Sequence, residues 1–510
     1  MDRRLSRRCA LGALLSLVVY GLACIYPAAW SPDSEKVIFP VFADKGRMVR
    51  LMMTDLACEP IREVARVTGD EAVLGSASWS PDGRWVAYVR FSHPPADGEN
   101  YEDPLGWALH VQDAVTGDDQ AIMEVKPGEG GGQDTSPAGF WPPTWVGPDS
   151  LALLRADSNE LVVIDRQGKT IREVDLPDRE LVANTAVLSA DGQRLAWVDT
   201  LGEDEVALFV KPLAGAEEPE TFGMTAADVS DDSVFLRPAW SGDGRLLYFP
   251  DARGSADDPE EGLLRRLDVD GRQVTTVWSR ERTAVVGVDV SRGSGLIALD
   301  CTRRGDDADE ATTIEVLDPE TGQSTVIHAS SGDVSHIGTA ISPDGRWVAF
   351  CPALEGDSFL GAIVSADGGD IRFFIPEGAP TDAAAEVVRE RLETSLELLD
   401  VDAQMQAAGL DTSGDLTPYR LSAALEVLDR LAAGTDSALH REALAYARVH
   451  VSLAALEDLS PEARVDFVPR ARTALEHFEE RYPEHPMLPE LRDELDAALR
   501  KAAESEEGEP

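Results

Sequence analysis

At 510 residues, 43% of them hydrophobic, the chain is long enough for two or three domains with sizeable cores. Its 93 acidic against 46 basic side chains leave a formal charge of -47. Such a surface repels nucleic acid and anionic lipid, so a nucleic-acid partner is excluded and membrane attachment is expected through the N-terminus only.

The first eight residues are basic through Arg3, Arg4, Arg7 and Arg8, and an apolar run of 18 residues follows from Cys9 to Tyr26. That length sits at the lower edge of a membrane span and exceeds a bare signal core. Residues 1–25 are therefore expected to be a signal peptide or membrane anchor, with the basic end left in the cytoplasm. Gly21-Leu22-Ala23-Cys24 resembles a bacterial lipobox, with Gly21 where leucine is usual. Cys24 is thus the candidate for lipidation, beside the alternatives of an uncleaved helix and simple cleavage. Each of these places the protein outside the cytoplasm, in the periplasm or an equivalent compartment, and the first two hold it at the membrane.

Beyond this leader one phrase recurs. It reads Ala29-Trp30-Ser31-Pro32-Asp33, Trp79-Ser80-Pro81-Asp82-Gly83-Arg84-Trp85, Trp240-Ser241-Gly242-Asp243-Gly244-Arg245 and Ile341-Ser342-Pro343-Asp344-Gly345-Arg346-Trp347. Weaker copies at Trp145 to Leu153, Leu188 to Trp197 and Val290 to Ala298 make seven, mostly about 50 residues apart, with one long interval after Asp82. Each copy is a hairpin signal. Proline presets one dihedral, aspartate bonds nearby backbone and glycine accepts a positive φ. Leu161 to Asp165 with Thr170 to Val174, and Thr313 to Asp318 with Ser324 to Ile327, supply two further strands per unit. Four strands at this period indicate propeller blades. Ser-Pro-Asp-Gly followed by an aromatic-rich strand resembles the WD-like repeat of TolB-type β-propellers over residues 26–377, which implies a seven-bladed β-propeller and leaves the function open.

Trp30, Trp79, Trp145 and Trp240 are expected to pack between blades. In a four-stranded blade the second-to-third and the blade-to-blade connections share one face. The long insertions fall there: Phe91 to Gly106, Lys126 to Pro143, Asp251 to Glu261 and Thr302 to Glu310. Variable loops on a stiff scaffold are where binding concentrates. Phe140 and Trp141, with His93, Tyr101 and Trp107 nearby, are the candidate surface for a protein or carbohydrate partner. The plainer reading is that Phe140 and Trp141 plug the joint between blades two and three.

Asp306, Asp307, Asp309 and Glu310, and likewise Asp257, Asp258, Glu260 and Glu261, offer oxygen ligands to a hard cation but lack the spacing of a calcium loop, so a solvated acidic loop is favoured. Asp411 to Asp415 is followed by Leu416 where such a loop needs glycine. Cys58, Cys301 and Cys351 lack metal or redox spacing and are expected as unpaired buried thiols. Prolyl-oligopeptidase relatives join a propeller of this kind to a serine hydrolase, but no Gly-x-Ser-x-Gly elbow occurs here. Propeller lyases and metal-dependent hydrolases gather histidines around the channel, which leaves His336 as the alternative catalytic candidate. No cofactor is expected.

From about Ala379 the apolar period changes from 2 to 3.6. Val388, Leu392, Leu396 and Leu399 form one stripe, and Leu421, Leu425 and Leu428 the next. Thr417-Pro418 and Ser460-Pro461 mark helix starts, while Pro469 is expected to split residues 461–482 into two helices. Ala471, Ala474, Phe478 and Tyr482, a Pro483-Glu484-His485-Pro486 connection, then Leu488, Leu491, Leu495 and Ala498 read as an antiparallel helix pair. The pair resembles the tetratricopeptide-like helices of envelope proteins, and a plain helical bundle fits nearly as well. The helical domain is placed at 378–503, with a disordered acidic tail at 504–510.

These readings predict a mainly β fold with an α-helical C-terminal domain. The expected function is non-catalytic, a binding or scaffolding protein of the cell envelope that holds protein or glycan partners. The alternative is a propeller-type hydrolase or lyase acting on an extracellular glycan or peptide around His336.

Overall fold

The computed structural model describes residues 28–43, 48–68, 72–92, 106–125, 143–155, 160–176, 185–201, 205–214, 218–226, 237–254, 259–304, 310–331, 336–354, 358–375, 383–407, 418–459 and 461–507. The chain divides into two compact units. One comprises residues up to Thr325 with Gly332–Ala366 and Ile371–Ala379; the other comprises Val326–Ser331, Asp367–Asp370 and Pro380–Pro510.

Seven antiparallel sheets follow one another along the chain. Blade one is β1 (Ala29–Trp30), β2 (Lys36–Ala43), β3 (Met48–Asp55) and β4 (Pro60–Thr68), and blade two is β5 (Ala72–Trp79), β6 (Trp85–Ser92), β7 (Gly106–Asp113) and β8 (Asp119–Val125). Blade three is β9 (Thr144–Gly147), β10 (Ser150–Arg155), β11 (Glu160–Asp165) and β12 (Thr170–Asp175), and blade four is β13 (Val187–Leu188), β14 (Arg194–Leu201), β15 (Glu205–Pro212) and β16 (Glu220–Gly223). Blade five is β17 (Ala239–Trp240), β18 (Leu246–Gly254), β19 (Pro259–Asp268) and β20 (Gln273–Glu281), and blade six is β21 (Thr283–Val290), β22 (Ile297–Arg304), β23 (Glu310–Asp318) and β24 (Gln323–Ser331). Blade seven is β25 (His336–Ile341), β26 (Trp347–Leu354), β28 (Gly361–Ser365) and β29 (Ile371–Phe374), with the short β27 (Ser358–Phe359) beside β26. The chain forms the expected seven-bladed β-propeller.

The repeated phrase works through its serine and aspartate together. Ser80 Oγ donates to Asp82 Oδ1 at 2.5 Å and accepts from the Trp85 amide at 2.9 Å, while Asp82 Oδ1 accepts from the Arg84 amide at 3.1 Å. The same pattern recurs at Ser31 and Asp33, Ser189 and Asp191, Ser241 and Asp243, and Ser342 and Asp344. Gly244 closes one such turn at φ 68°, a conformation that favours glycine. The degenerate sixth copy has no aspartate, and Ser291 Oγ instead donates to the Pro343 carbonyl of the next blade at 2.8 Å.

The Ser241 hydroxyl, followed by the Arg245 amide, holds the Asp243 carboxyl below its usual range. A depressed carboxyl stabilises the fold fully above the ordinary carboxylate range and loses that contribution as the pH falls through the lower folded value. Asp243→Ala is expected to cost about 0.5–1.5 kcal/mol at neutral pH, the worth of the lost turn hydrogen bonds. Thermal melts from pH 7 to pH 2 should show the variant and the parent converging at the acid end.

Tryptophan staples neighbouring blades, as expected. The indoles of Trp79, Trp145 and Trp240 donate to the carbonyls of Ala29, Ser78 and Val187 on the innermost strand of the preceding blade, at 3.1, 3.2 and 3.1 Å. Trp30 does the same across the closure of the ring, donating to Ala340 of blade seven at 2.9 Å. Among the described residues each blade is built from one contiguous stretch of chain, and no strand is exchanged at that closure. The Ala28 amide donates to Gly338 at 3.1 Å and the Asp344 amide to Ser34 Oγ at 3.0 Å. One apolar cluster joins Phe39 and Met53 of blade one, Trp79 of blade two and Ile363 of blade seven.

A Cβ at Gly361 would stand 2.8 Å from Cγ of the fully buried Phe39, so only glycine lets β28 approach blade one this closely. Gly361→Ala is expected to lower stability by about 1–3 kcal/mol, the usual cost of overpacking, measurable by urea denaturation.

Arginines on the outer strands add a stitch that periodicity does not reveal. Arg62 of β4 donates to the carbonyls of Asp113 and Ala114 in blade two, at 3.2 and 3.0 Å. Arg372 of β29 reaches the Leu56 carbonyl in blade one at 2.7 Å. One expected insertion, Asp251 to Glu261, is mostly strand, because β18 and β19 stay paired out to Gly254 and Pro259. Cys58, Cys301 and Cys351 are buried and are not joined in a disulfide among the described residues.

The second unit holds six helices among its described residues: α1 (Ala383–Leu398), α2 (Val401–Ala407), α3 (Pro418–Gly434), α4 (Ala438–Asp458), α5 (Pro461–Arg481) and α6 (Leu488–Glu507). Pro418 and Pro461 stand at helix starts as expected, and Ser437 caps α4 by accepting from the His440 amide at 3.2 Å. Pro469 does not divide α5. An interior proline costs roughly 3 kcal/mol. Burial of Phe467, Ala471, Ala474, Leu475 and Phe478 on one face of that helix offsets this. The last helix runs to Glu507, into the stretch expected to be disordered.

Candidate functional site

The first-to-second and third-to-fourth turns of every blade open on one face of the ring, and the remaining connections open on the other. His93, Tyr101, Phe140 and Trp141 lie outside the described residues, as do Asp257, Asp258, Asp306, Asp307 and Asp309, together with Cys24 and Asp411 to Asp415. Trp107 is described and corrects its assignment to an exposed binding surface. It opposes Phe91 on β6, is 3% exposed, and packs with Val89, Leu109, Trp145 and Leu153 in the joint between blades two and three. A large apolar ring gains more from that joint than from water.

Glu310 begins β23 opposite Arg304, and Glu261 pairs with Arg253 at 2.7 Å. Among the described residues no group of three His, Cys, Asp or Glu side chains is placed to hold a metal ion. His336 opens β25, the innermost strand of blade seven, opposite Pro352.

Beside that strand the first two strands of blade six carry one aspartate each, Asp289 on β21 and Asp300 on β22. Asp289 accepts from the Ile341 amide at 2.8 Å and from the Val290 amide at 3.0 Å, and Asp300 accepts from Thr339 Oγ1 at 3.2 Å. Burial raises the Asp289 carboxyl, with the Ile341 amide and the Arg292 charge partly opposing it. Val290 and Ile341 stand where other copies of the phrase have tryptophan. A carboxylate-to-amide bond therefore joins blades six and seven in place of an indole. Every contact named here is a bond between or within blades.

The turn face presents a different chemistry. Half-buried Trp85 lies between two guanidinium groups, Arg84 at 4.9 Å and Arg166 of blade three at 4.1 Å from the ring centre. Trp347 has Arg372 over its ring at 4.7 Å. Val115, in the adjacent turn of blade two, is 84% exposed. Tryptophan and arginine in this arrangement match the composition of protein-binding hot spots. In the sequence both tryptophans sit directly after an Asp-Gly-Arg turn, which was the available signal.

No protein-family model matches the chain, and no curated protein matches it. Among solved structures it is similar to TolB from Acinetobacter baumannii, at 17% identity over 66% of this chain and 65% of that one, with a TM-score of 0.34. The match thus spans just under two thirds of that protein's own length. It is also similar to the β-propeller domain of the Trilobed protease from Pyrococcus furiosus, which has an open velcro topology, at 13% identity over 70% of this chain and 97% of that one, with a TM-score of 0.43. A puromycin-hydrolyzing peptidase of Mycobacterium tuberculosis is similar at 15% identity over 71% and 54% of the two chains, with a TM-score of 0.43. The propeller assignment rests on the seven sheets themselves, and the resemblance to TolB-type propellers holds at the level of fold.

Proposed function

We propose that this protein is a non-catalytic binding or scaffolding component of the cell envelope, whose propeller holds a protein or glycan partner through connections that differ from blade to blade. The observation that carries this reading is the use of the repeated side chains. Serine, aspartate and tryptophan of the recurring phrase are taken up in turn and interblade hydrogen bonds. The result is a stiff frame on which variable loops choose what docks. Attachment through residues 1–25, by lipid at Cys24 or by the apolar segment, belongs to the same proposal. No helix among the described residues is long and apolar enough to cross a membrane.

The test is affinity capture from detergent-solubilised native membranes with the whole chain and with a variant in which residues 126–142 are replaced by a short Gly-Ser link. A partner bound by the first and lost by the second is expected. An identical set of bound proteins and glycans for both would remove the loop from the proposal. Turnover of a glycan or peptide that stops in His336→Ala would replace the binding reading with the hydrolase or lyase one.

A further inference from the structure

Among the described residues five large apolar side chains stand exposed, and the three most exposed, Val115 at 84%, Ile171 at 58% and Ile61 at 46%, fall on the turn face of three successive blades. Val115 lies in the turn between β7 and β8 of blade two, and Ile171 and Ile61 stand second in β12 of blade three and β4 of blade one, just past the third-to-fourth turns. Leu201 and Ile375, the other two, lie at the opposite ends of their blades. The three sites are linked. Arg62, next to Ile61, donates to the Ala114 carbonyl beside Val115 at 3.0 Å. A Cβ at Gly168 would stand 1.9 Å from the Ile122 carbonyl oxygen, so the turn that leads to Ile171 lies directly on β8. Arg172 reaches the Leu213 carbonyl of blade four at 3.5 Å, and its neighbour Ile171 therefore faces blade two. Apolar side chains scattered singly need no explanation, whereas a group of them rimmed by polar residues marks an interaction surface.

The rim says what it meets. Arg84 pairs with Asp113 at 3.5 Å and Arg166 with Asp149 at 3.2 Å, and the two pairs are exposed in opposite senses. In the first the guanidinium is 63% exposed and the carboxylate 10%; in the second the carboxylate is 74% exposed and the guanidinium 25%. Trp85, with Arg166 over its ring at 4.1 Å, ties the two pairs to one joint between blades two and three. That joint therefore shows solvent one cation and one anion beside an apolar group. A partner of a single charge sign is repelled by half of such a rim. A second copy, turned about a two-fold axis, carries the same pattern reversed, so cation meets anion twice. Over the rest of the surface the formal charge of -47 opposes contact between copies.

We infer that the turn-face rim at the joint of blades two and three is a contact between two copies of this chain, with Val115 and Ile171 at its apolar centre and Arg84 of each copy facing Asp149 of the other. The contact is independent of the loops invoked for the proposed function.

Sedimentation velocity of the full chain in a mild detergent, across the micromolar range, tests it. A reversible monomer–dimer equilibrium is expected, with a dissociation constant raised at least tenfold in Val115→Glu and in Ile171→Glu and unchanged in Leu201→Glu, which alters an exposed side chain at the opposite ends of the blades. All three variants should melt with the parent, since the altered side chains are exposed. Arg84→Asp and Asp149→Arg should each dimerise less well alone, because each sets like charges against each other twice. An equal mixture of those two variants should associate more tightly than either alone, because every crossed pair is then opposite in sign; a mere loss of folding gives no such rescue. A parent that stays monomeric throughout, Val115→Glu and Ile171→Glu variants that dimerise like the parent, or a mixture no tighter than its components overturns the inference.

Discussion

Glu442→Ala should remove about 3–5 kcal/mol from the stability of the helical unit, the cost of leaving a buried charge without its partner. Arg391 is 0% exposed, and its guanidinium donates to Glu442 Oε2 at 2.9 Å and to the Gly368 carbonyl, part of the same unit, at 2.6 Å. The other Glu442 oxygen meets His485 Nε2 at 3.1 Å. The Met487 amide donates to His485 Nδ1 at 3.2 Å, so that nitrogen carries a lone pair and the ring proton sits on Nε2. Arg391 and Glu442 are thus a buried cation facing a buried anion, with His485 on the remaining carboxylate oxygen. Burial alone would raise the Glu442 carboxyl, but Arg391 and His485 more than offset it and hold it below its usual range. Its contribution is therefore complete above the ordinary carboxylate range and is lost as the pH falls through the lower folded value. Urea unfolding followed at 222 nm reads the loss. Replacing both charges, with Arg391→Met and Glu442→Leu, should restore most of the stability, since a buried ion pair is often no better than a packed apolar one. A double variant as unstable as the single one would show that the trio does more than neutralise itself.

How much of this was legible follows from what kind of signal each feature leaves. The blades were readable because the same short phrase builds the same turn, and because Trp30, Trp79, Trp145 and Trp240 repeat at its head. The helices were readable from their stripes and from proline at Pro418 and Pro461. Periodicity cannot report a polar group that takes the place of an apolar one. Arg391 lies on the buried face between Val388 and Leu392, and an arginine inside such a stripe was the one hint of an ion pair within the helices. Its partners Glu442 and His485 are 51 and 94 residues further along and leave no pattern. Pro469 misled for the related reason that local propensity was overruled by packing. At the propeller, aromatic composition suggested Trp107 as a binding residue, yet its place opposite Phe91 makes it core. The turn-face Trp85, marked by the arginine before it, was read as part of the repeat and not as a surface.

Asp251→Ala should be the most damaging single change in the propeller frame, again by about 3–5 kcal/mol. The side chain is 0% exposed and sits in a ring of donors: the amides of Thr225 at 2.9 Å, Ala226 at 3.0 Å and Ala252 at 2.9 Å, and the guanidinium of Arg265 at 2.9 Å. Thr225 and Ala226 follow the outer strand of blade four, whereas Asp251 and Arg265 belong to blade five. One carboxylate thus fixes the exit of one blade to the body of the next. Alanine would leave three amides and a cation without the acceptor they share. Asp251→Asn keeps one acceptor oxygen and should fall between parent and alanine, because its NH2 would face donors. Hydrogen exchange separates local from global damage: the Thr225 and Ala226 amides should lose protection in Asp251→Ala before the amides of β14 and β18 do. Unchanged protection at Thr225 and Ala226 would mean that other contacts hold the joint.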